Sequence, residues 1–197
     1  MEKFDRFINE AANNENNLIQ MEGYNVYVNN DAEILELSVG KDSSKEELGY
    51  IEAQPLDNCS KVWYISDVKA QQGWGPFLYD LAIAYCSMGG REGLTADKYV
   101  STTEPAFKVW HYYYHKRTDD SERGDKFMKR EITQLCSEEV VQALNIRMRG
   151  ANYGGPSGQA MKPESEEYKV LSMVYSMPLG EVYLIDKLNQ QNKIKEL

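Results

Sequence analysis

The chain has 197 residues, of which 42% are hydrophobic and 27% charged, a balance that suits one buried core and excludes fibrous and low-complexity classes. Its formal net charge of −9 repels a phosphate backbone unless a local basic patch overrides it, and the Lys/Arg-dense stretches Lys126 to Arg130 and Arg147 to Arg149 are short enough to be solvated helix faces, so no nucleic-acid partner is expected. No apolar run has the length of a bilayer span and the opening MEKFDRFINE lacks the apolar core of a signal peptide, so a cytoplasmic location away from membranes is expected.

Phe4, Ile8 and Ala11 fall at helical spacing and predict an amphipathic helix over Glu2 to Ala12. Four β-branched or aromatic runs follow: Tyr24 to Val28, Glu33 to Gly40, Leu48 to Gln54 and Lys61 to Val68. The polar breaks NNDA, GKDSSKEE and PLDNCS between them suit hairpins, which predicts an antiparallel meander. A glycine turn then leads into a Leu-, Ala- and Tyr-rich helix over Phe77 to Met88, stopped by GGREG. LTAD, Leu94 to Asp97, reads as a short strand parallel to the one before the turn, and STTEPAFKVWHYYYHKR opens a second helix.

Beyond Arg117 the character changes. Phe127 to Leu144 reads as helical, GANYGGPSGQAMKP as a mobile loop, Tyr168 to Met177 as a late strand, and NQQNKIKEL as a polar tail that frays. Residues 1–117 are thus read as the core of the domain and 118–197 as a C-terminal helical and loop extension that completes it. Cys59, Cys86 and Cys136, odd in number and widely spaced, suggest neither a disulfide framework nor a metal knuckle, and three buried, reduced thiols are expected.

The turn Asp67 to Pro76, DVKAQQGWGP, carries the strongest chemical signal. Gly73 and Gly75 leave backbone N–H groups accessible, and the following helix aims its positive end at the same place, which makes an anion site. Leu78 stands where a dinucleotide fingerprint needs its third glycine, and no Lys-Ser/Thr pair follows, so a nucleotide P-loop is excluded.

Meander, glycine turn, helix, strand and aromatic-rich helix in this order resemble the GNAT family of acyl-CoA-dependent N-acyltransferases, over roughly Tyr24 to Arg117 and weakly again at Tyr168 to Met177. Gly73, Trp74 and Gly75 fit that family's Arg/Gln-x-x-Gly-x-Gly/Ala signature, while its Arg/Gln position falls on Ala70, with Gln71 or Gln72 available after a one-residue shift. The resemblance implies an α/β fold with a mixed, mostly antiparallel sheet flanked by helices. It also implies acetyl-CoA as co-substrate, with pantetheine along Ile65 to Ala70, Val68 included, and pyrophosphate on Gln71, Gln72, Gly73, Trp74, Gly75 and the helix start at Pro76.

The second helix of the family commonly reads Asn-x-x-Ala-x-x-Leu-Tyr-x-x-x-Gly-Phe. Here Thr103 stands for the Asn, Ala106 and Val109 fit, Trp110 takes the place of the tyrosine that protonates the leaving thiolate, and Tyr114-His115 replaces Gly-Phe. An indole cannot act as that acid, so Tyr114, one helical turn on, is the expected proton source, with Tyr113 next. Asp67 is the expected base, with Glu52 second. His111 and His115 have the i, i+4 spacing of metal ligands, but with no Cys nearby and no Glu between them they are read as surface histidines and no metal is expected. The run from Thr103 to Arg117 also looks like GNAT-like proteins of tailed bacteriophages, which implies a host or virion protein as the amine acceptor. Against the enzyme stands a GNAT-fold binding or structural module without catalysis, which the Ala70 and Trp110 departures favour.

Overall fold

The computed structural model describes residues 23–41, 46–71, 73–96, 102–117, 127–149, 162, 164–178 and 183–197. The helix expected over Glu2 to Ala12, and nearly all of the loop GANYGGPSGQAMKP, lie outside them. The protein is α/β, an eight-stranded mixed sheet flanked by helices.

The meander forms β1 (Tyr24–Asn30), β2 (Leu35–Lys41), β3 (Glu47–Leu56) and β4 (Cys59–Ala70), each antiparallel to the one before. Alternation along these strands sends Val26, Leu37, Ile51 and Ile65 to one face of the sheet. Helix α1 (Gly75–Tyr85) packs there, and every residue from Pro76 to Tyr85 is buried. After β5 (Gly93–Thr95), parallel to β4, comes α2 (Glu104–Tyr112), opened by the Thr103 hydroxyl, which accepts from the Ala106 amide at 3.4 Å. A π-helical turn, Tyr113–Arg117, extends α2.

The remaining chain joins the same sheet, with three departures from the sequence reading. Phe127 to Leu144 is not one helix: Met128–Glu131 is β6, followed by a 3-10 turn, Ile132–Gln134, and by α3 (Glu138–Arg149). The mixed run MKRE is an edge strand, paired with β7 on one side and facing no strand on the other among the described residues. The late strand is shorter than expected: α4 (Glu166–Leu171) takes its first half and β7 (Met173–Ser176) the second. Ser165 starts that helix by accepting from the Tyr168 amide at 3.2 Å, and Glu166 and Glu167 sit at its positive end. The tail does not fray: after α5 (Tyr183–Gln190), β8 (Ile194–Glu196) pairs in parallel with β1, with Val26 N donating to Lys193 O at 2.8 Å.

The strand order is β6-β7-β5-β4-β3-β2-β1-β8. Neighbours in sequence divide between two cores, Met173 and Tyr175 packing with α1 and Val174 with α3, so each face of the sheet carries its own apolar layer. The second layer holds the largest correction. Cys59 and Cys136 form a disulfide, their Cα atoms 5.6 Å apart across 77 positions of sequence, and only Cys86 of the three is a free, buried thiol. Spacing could not reveal the pair, because the sheet and α3 bring the two positions together.

Candidate functional site

β4 meets β5 only through Val62, Trp63 and Tyr64, whose partners are Gly93, Leu94 and Thr95. On its other side β4 stays paired with β3 as far as Ala70. From Ile65 to Ala70 its β5-side edge therefore faces no strand among the described residues. Within this stretch Val68 packs against the first core and Ala70 is exposed.

The glycine turn is anchored at its start. Gln71 donates its amide to Leu48 O at 2.7 Å and its side-chain Nε2 to Glu47 O at 3.1 Å, which ties the end of β4 to β3. Gln72 lies outside the described residues. Gly73 has φ +95°, a conformation that L side chains rarely adopt, so the chain reverses here only because the residue is glycine. Trp74 N then donates to Gln71 O at 3.2 Å, and the indole packs against Tyr24 and Phe77. The expected run of amides is thus narrowed, since those of Gln71 and Trp74 are spent inside the protein.

The first internal bond of α1 runs from Leu78 N to Trp74 O at 3.1 Å, so the Gly75 and Phe77 amides precede it, and Pro76 carries none. Trp74, at the N-cap, makes no side-chain capping bond. Gly75 is helical, and a Cβ built on it meets only Ala70 Cβ at 3.9 Å, an ordinary contact. Neither backbone conformation nor crowding inside the protein demands a glycine at 75.

The opposite face of β3 and β4 carries a polar row. Cross-strand pairing sets Gln54 beside Tyr64 and Glu52 beside Asp67, and the register shift between them leaves Ser66 as an extra residue, a bulge that re-aims the strand. Glu52 Oε1 accepts from Ser66 Oγ at 2.5 Å and from Gln54 Nε2 at 3.0 Å. Asp67 accepts from Tyr50 OH at 2.6 Å and from the Val68 amide at 2.8 Å. That bond to Asp67 holds the Tyr50 phenol above its ordinary pKa. Glu36 continues the row beside Glu52, so three carboxylates stand on adjacent strands of one face. Tyr50 is a neighbour of Asp67 that the sequence reading missed, and the signal was there in the antiparallel pairing of β3 with β4.

The aromatic helix distributes its residues differently from the expectation. Trp110 is only 1% exposed, stacked on Tyr175 at 5.0 Å and edge-on to Tyr79 at 5.5 Å, so the position where the GNAT resemblance expects a tyrosine is occupied by core. Tyr113 is equally buried and donates its hydroxyl to Asp80 Oδ1, while Arg117 donates to Asp80 Oδ2 at 3.3 Å. Burial first, and the Asp80 charge second, push the Tyr113 phenol well above its ordinary pKa. Tyr114 is half-buried, with Lys129 Nζ 4.4 Å from its ring centre and His115 beside it. No hydrogen bond or ring contact joins Tyr114 to Asp67 or to the glycine turn among the described residues.

His111 and His115 gain a partner that spacing could not show. Glu166, 51 positions after His115, brings Oε1 to 2.8 Å from His115 Nε2 and 3.3 Å from His111 Nε2. No protein-family model, curated protein or solved structure matches the chain.

Proposed function

We propose that the chain is an N-acyltransferase that moves an acetyl group from acetyl-CoA to an amine. One observation carries this reading: the edge of β4 from Ile65 to Ala70, which faces no strand among the described residues, leads to a helix N-terminus at Gly75 with room for a Cβ. Such an edge offers backbone groups to the amides of a pantetheine arm, and the helix end offers Gly75 and Phe77 amides to a pyrophosphate.

α1 covers one face of the sheet, and the Glu36, Glu52 and Asp67 row lies on the other, so a thioester along the β4 edge sits between the two. The row favours a cationic acceptor amine by charge. In the reaction the amine nitrogen attacks the thioester carbonyl, the new C–N bond replaces C–S, Asp67 takes the amine proton and Tyr114 supplies one to the leaving thiolate. A host or virion protein is the acceptor that the phage resemblance suggests. The cytoplasmic location belongs to the same reading, and it exposes the Cys59–Cys136 bond to a reducing thiol pool.

A second reading, a GNAT-like binding or structural module without turnover, is favoured by the burial of Trp110 and by the engagement of Tyr113 with Asp80. Calorimetric titration with acetyl-CoA, combined with detection of released CoA thiol across a panel of amines and basic peptides, separates the two. Binding and turnover support the enzyme, binding alone supports the module, and unchanged affinity in a folded Gly75→Asp variant rejects the site itself. The room for a Cβ at Gly75 makes that variant a fair probe, since its carboxylate is placed to repel a bound anion.

A further inference from the structure

We propose that His111, His115 and Glu166 form a binding site for a divalent ion of the imidazole-preferring class, with Zn2+ as its probe. Both histidines direct Nε2 at one carboxylate oxygen, and the ligand atoms of all three residues lie within 4.8 Å of one another. Two ligands on a small ion with bonds of about 2.0 to 2.1 Å stand roughly 3 Å apart. The two Nε2 to Oε1 distances, 2.8 and 3.3 Å, already bracket that separation, so an ion is accommodated by small rotations of exposed side chains.

The supports are built in. His111 and His115 come from consecutive turns, the second on the π-helical extension, and their ring centres are 4.3 Å apart. Phe107 flanks the first imidazole and Tyr114 the second. Glu166 is the first residue of α4, held by the Ser165 cap of that helix. With no ion, His115 Nε2 is hydrogen-bonded to Glu166 Oε1 and His111 Nε2 lies 3.3 Å from the same oxygen. An ion bound at both Nε2 atoms is held by neutral imidazoles with the proton on Nδ1. Three protein ligands leave the ion a position open to solvent, because all three side chains are partly exposed. The bound ion adds a tie between α2 and α4, which already pack together and are bridged by the Tyr175 hydroxyl at Trp110 O and Val170 O.

The test is calorimetric titration of the full, tag-free chain with ZnCl2, repeated on His115→Ala and Glu166→Gln. A Co2+ titration reads the coordination by its visible absorption. The expected result is one ion per chain, a rise in melting temperature with Zn2+, and loss of both in either variant, with unchanged far-UV circular dichroism because the residues are exposed. Absence of stoichiometric binding to the wild type overturns the proposal. So does binding that His115→Ala abolishes but Glu166→Gln leaves unchanged, which reduces the site to a pair of surface histidines.

Discussion

Tyr113 donates its hydroxyl to Asp80 inside the protein, and Arg117 reaches the other oxygen of the same carboxylate, so α1 and the extension of α2 are joined by a buried polar contact. Asp80 sits in the middle of a helix buried from Pro76 to Tyr85, where an uncompensated charge is costly. Tyr113→Phe removes one donor from that carboxylate and is expected to cost about 1 to 3 kcal/mol, read from the shift of a urea midpoint. Under the proposed function, acetyl-CoA affinity should not move, because the residue is core. A variant as stable as the wild type would show that the contact contributes nothing net.

Alkaline pH should unfold the protein earlier than its charge alone implies. Burial raises the Tyr85 phenol and the Cys86 thiol to about 12, against ordinary values of 10.0 and 9.0, and raises Tyr79, Tyr113 and Tyr175 as well. The unfolded chain therefore releases these protons first, and above the unfolded values it binds fewer protons than the native state. Stability is fully present below about pH 9 and falls as pH rises through the folded values. Denaturant melts between pH 8 and 11 check the sign, and a flat profile would contradict it.

The thiols should separate by reactivity. Purified without reductant, the native protein is expected to show no thiol that alkylates at pH 8, since Cys86 is wholly buried and its thiolate is suppressed, and one after denaturation. Tryptic mapping should recover Cys59 linked to Cys136. The pair closes a long loop, so the double Cys→Ser variant should lose about 2 to 4 kcal/mol. Three thiols in the denatured, unreduced protein would show that the pair is open in solution.

What the sequence disclosed, and what it hid, follows from the range of each interaction. β1 to β5 and α1 were legible because alternation and apolar density act over a few residues. β6 and β8 were not, since MKRE and IKE are polar edge strands whose pairing is decided by β7 and β1. Tyr168 to Leu171 carries residues of either propensity, and the Ser165 cap settled the matter in favour of helix. Gly73 and Gly75 stand out by local chemistry and Asp67 only through the GNAT resemblance, whereas the Tyr50 bond to Asp67, the Cys59–Cys136 link and the approach of Glu166 to the histidines all depend on tertiary contact.

The proton transfers of the proposed reaction give the last prediction. Asp67 is exposed on the open face and already accepts from Tyr50, so Asp67→Asn keeps a hydrogen-bonding side chain of the same size while removing the base. Turnover should fall by about two to four orders of magnitude with acetyl-CoA affinity unchanged. Tyr50→Phe should lower turnover less, because it removes only the hydroxyl that orients the carboxylate. Tyr114→Phe tests the acid in the same way, with affinity kept and turnover reduced over a similar range if the phenol protonates the thiolate. Trp110→Tyr, which places a tyrosine where the GNAT resemblance expects one, should not rescue it. The indole it replaces is stacked on Tyr175 in the core, so the substitution costs about 1 to 3 kcal/mol and leaves the new phenol buried. Rescue of Tyr114→Phe by Trp110→Tyr would mean that α2 turns its core face toward the thioester during turnover. Full activity in Tyr114→Phe would instead remove Tyr114 from the reaction and leave a water, or the Tyr50 hydroxyl beside Asp67, as the proton source.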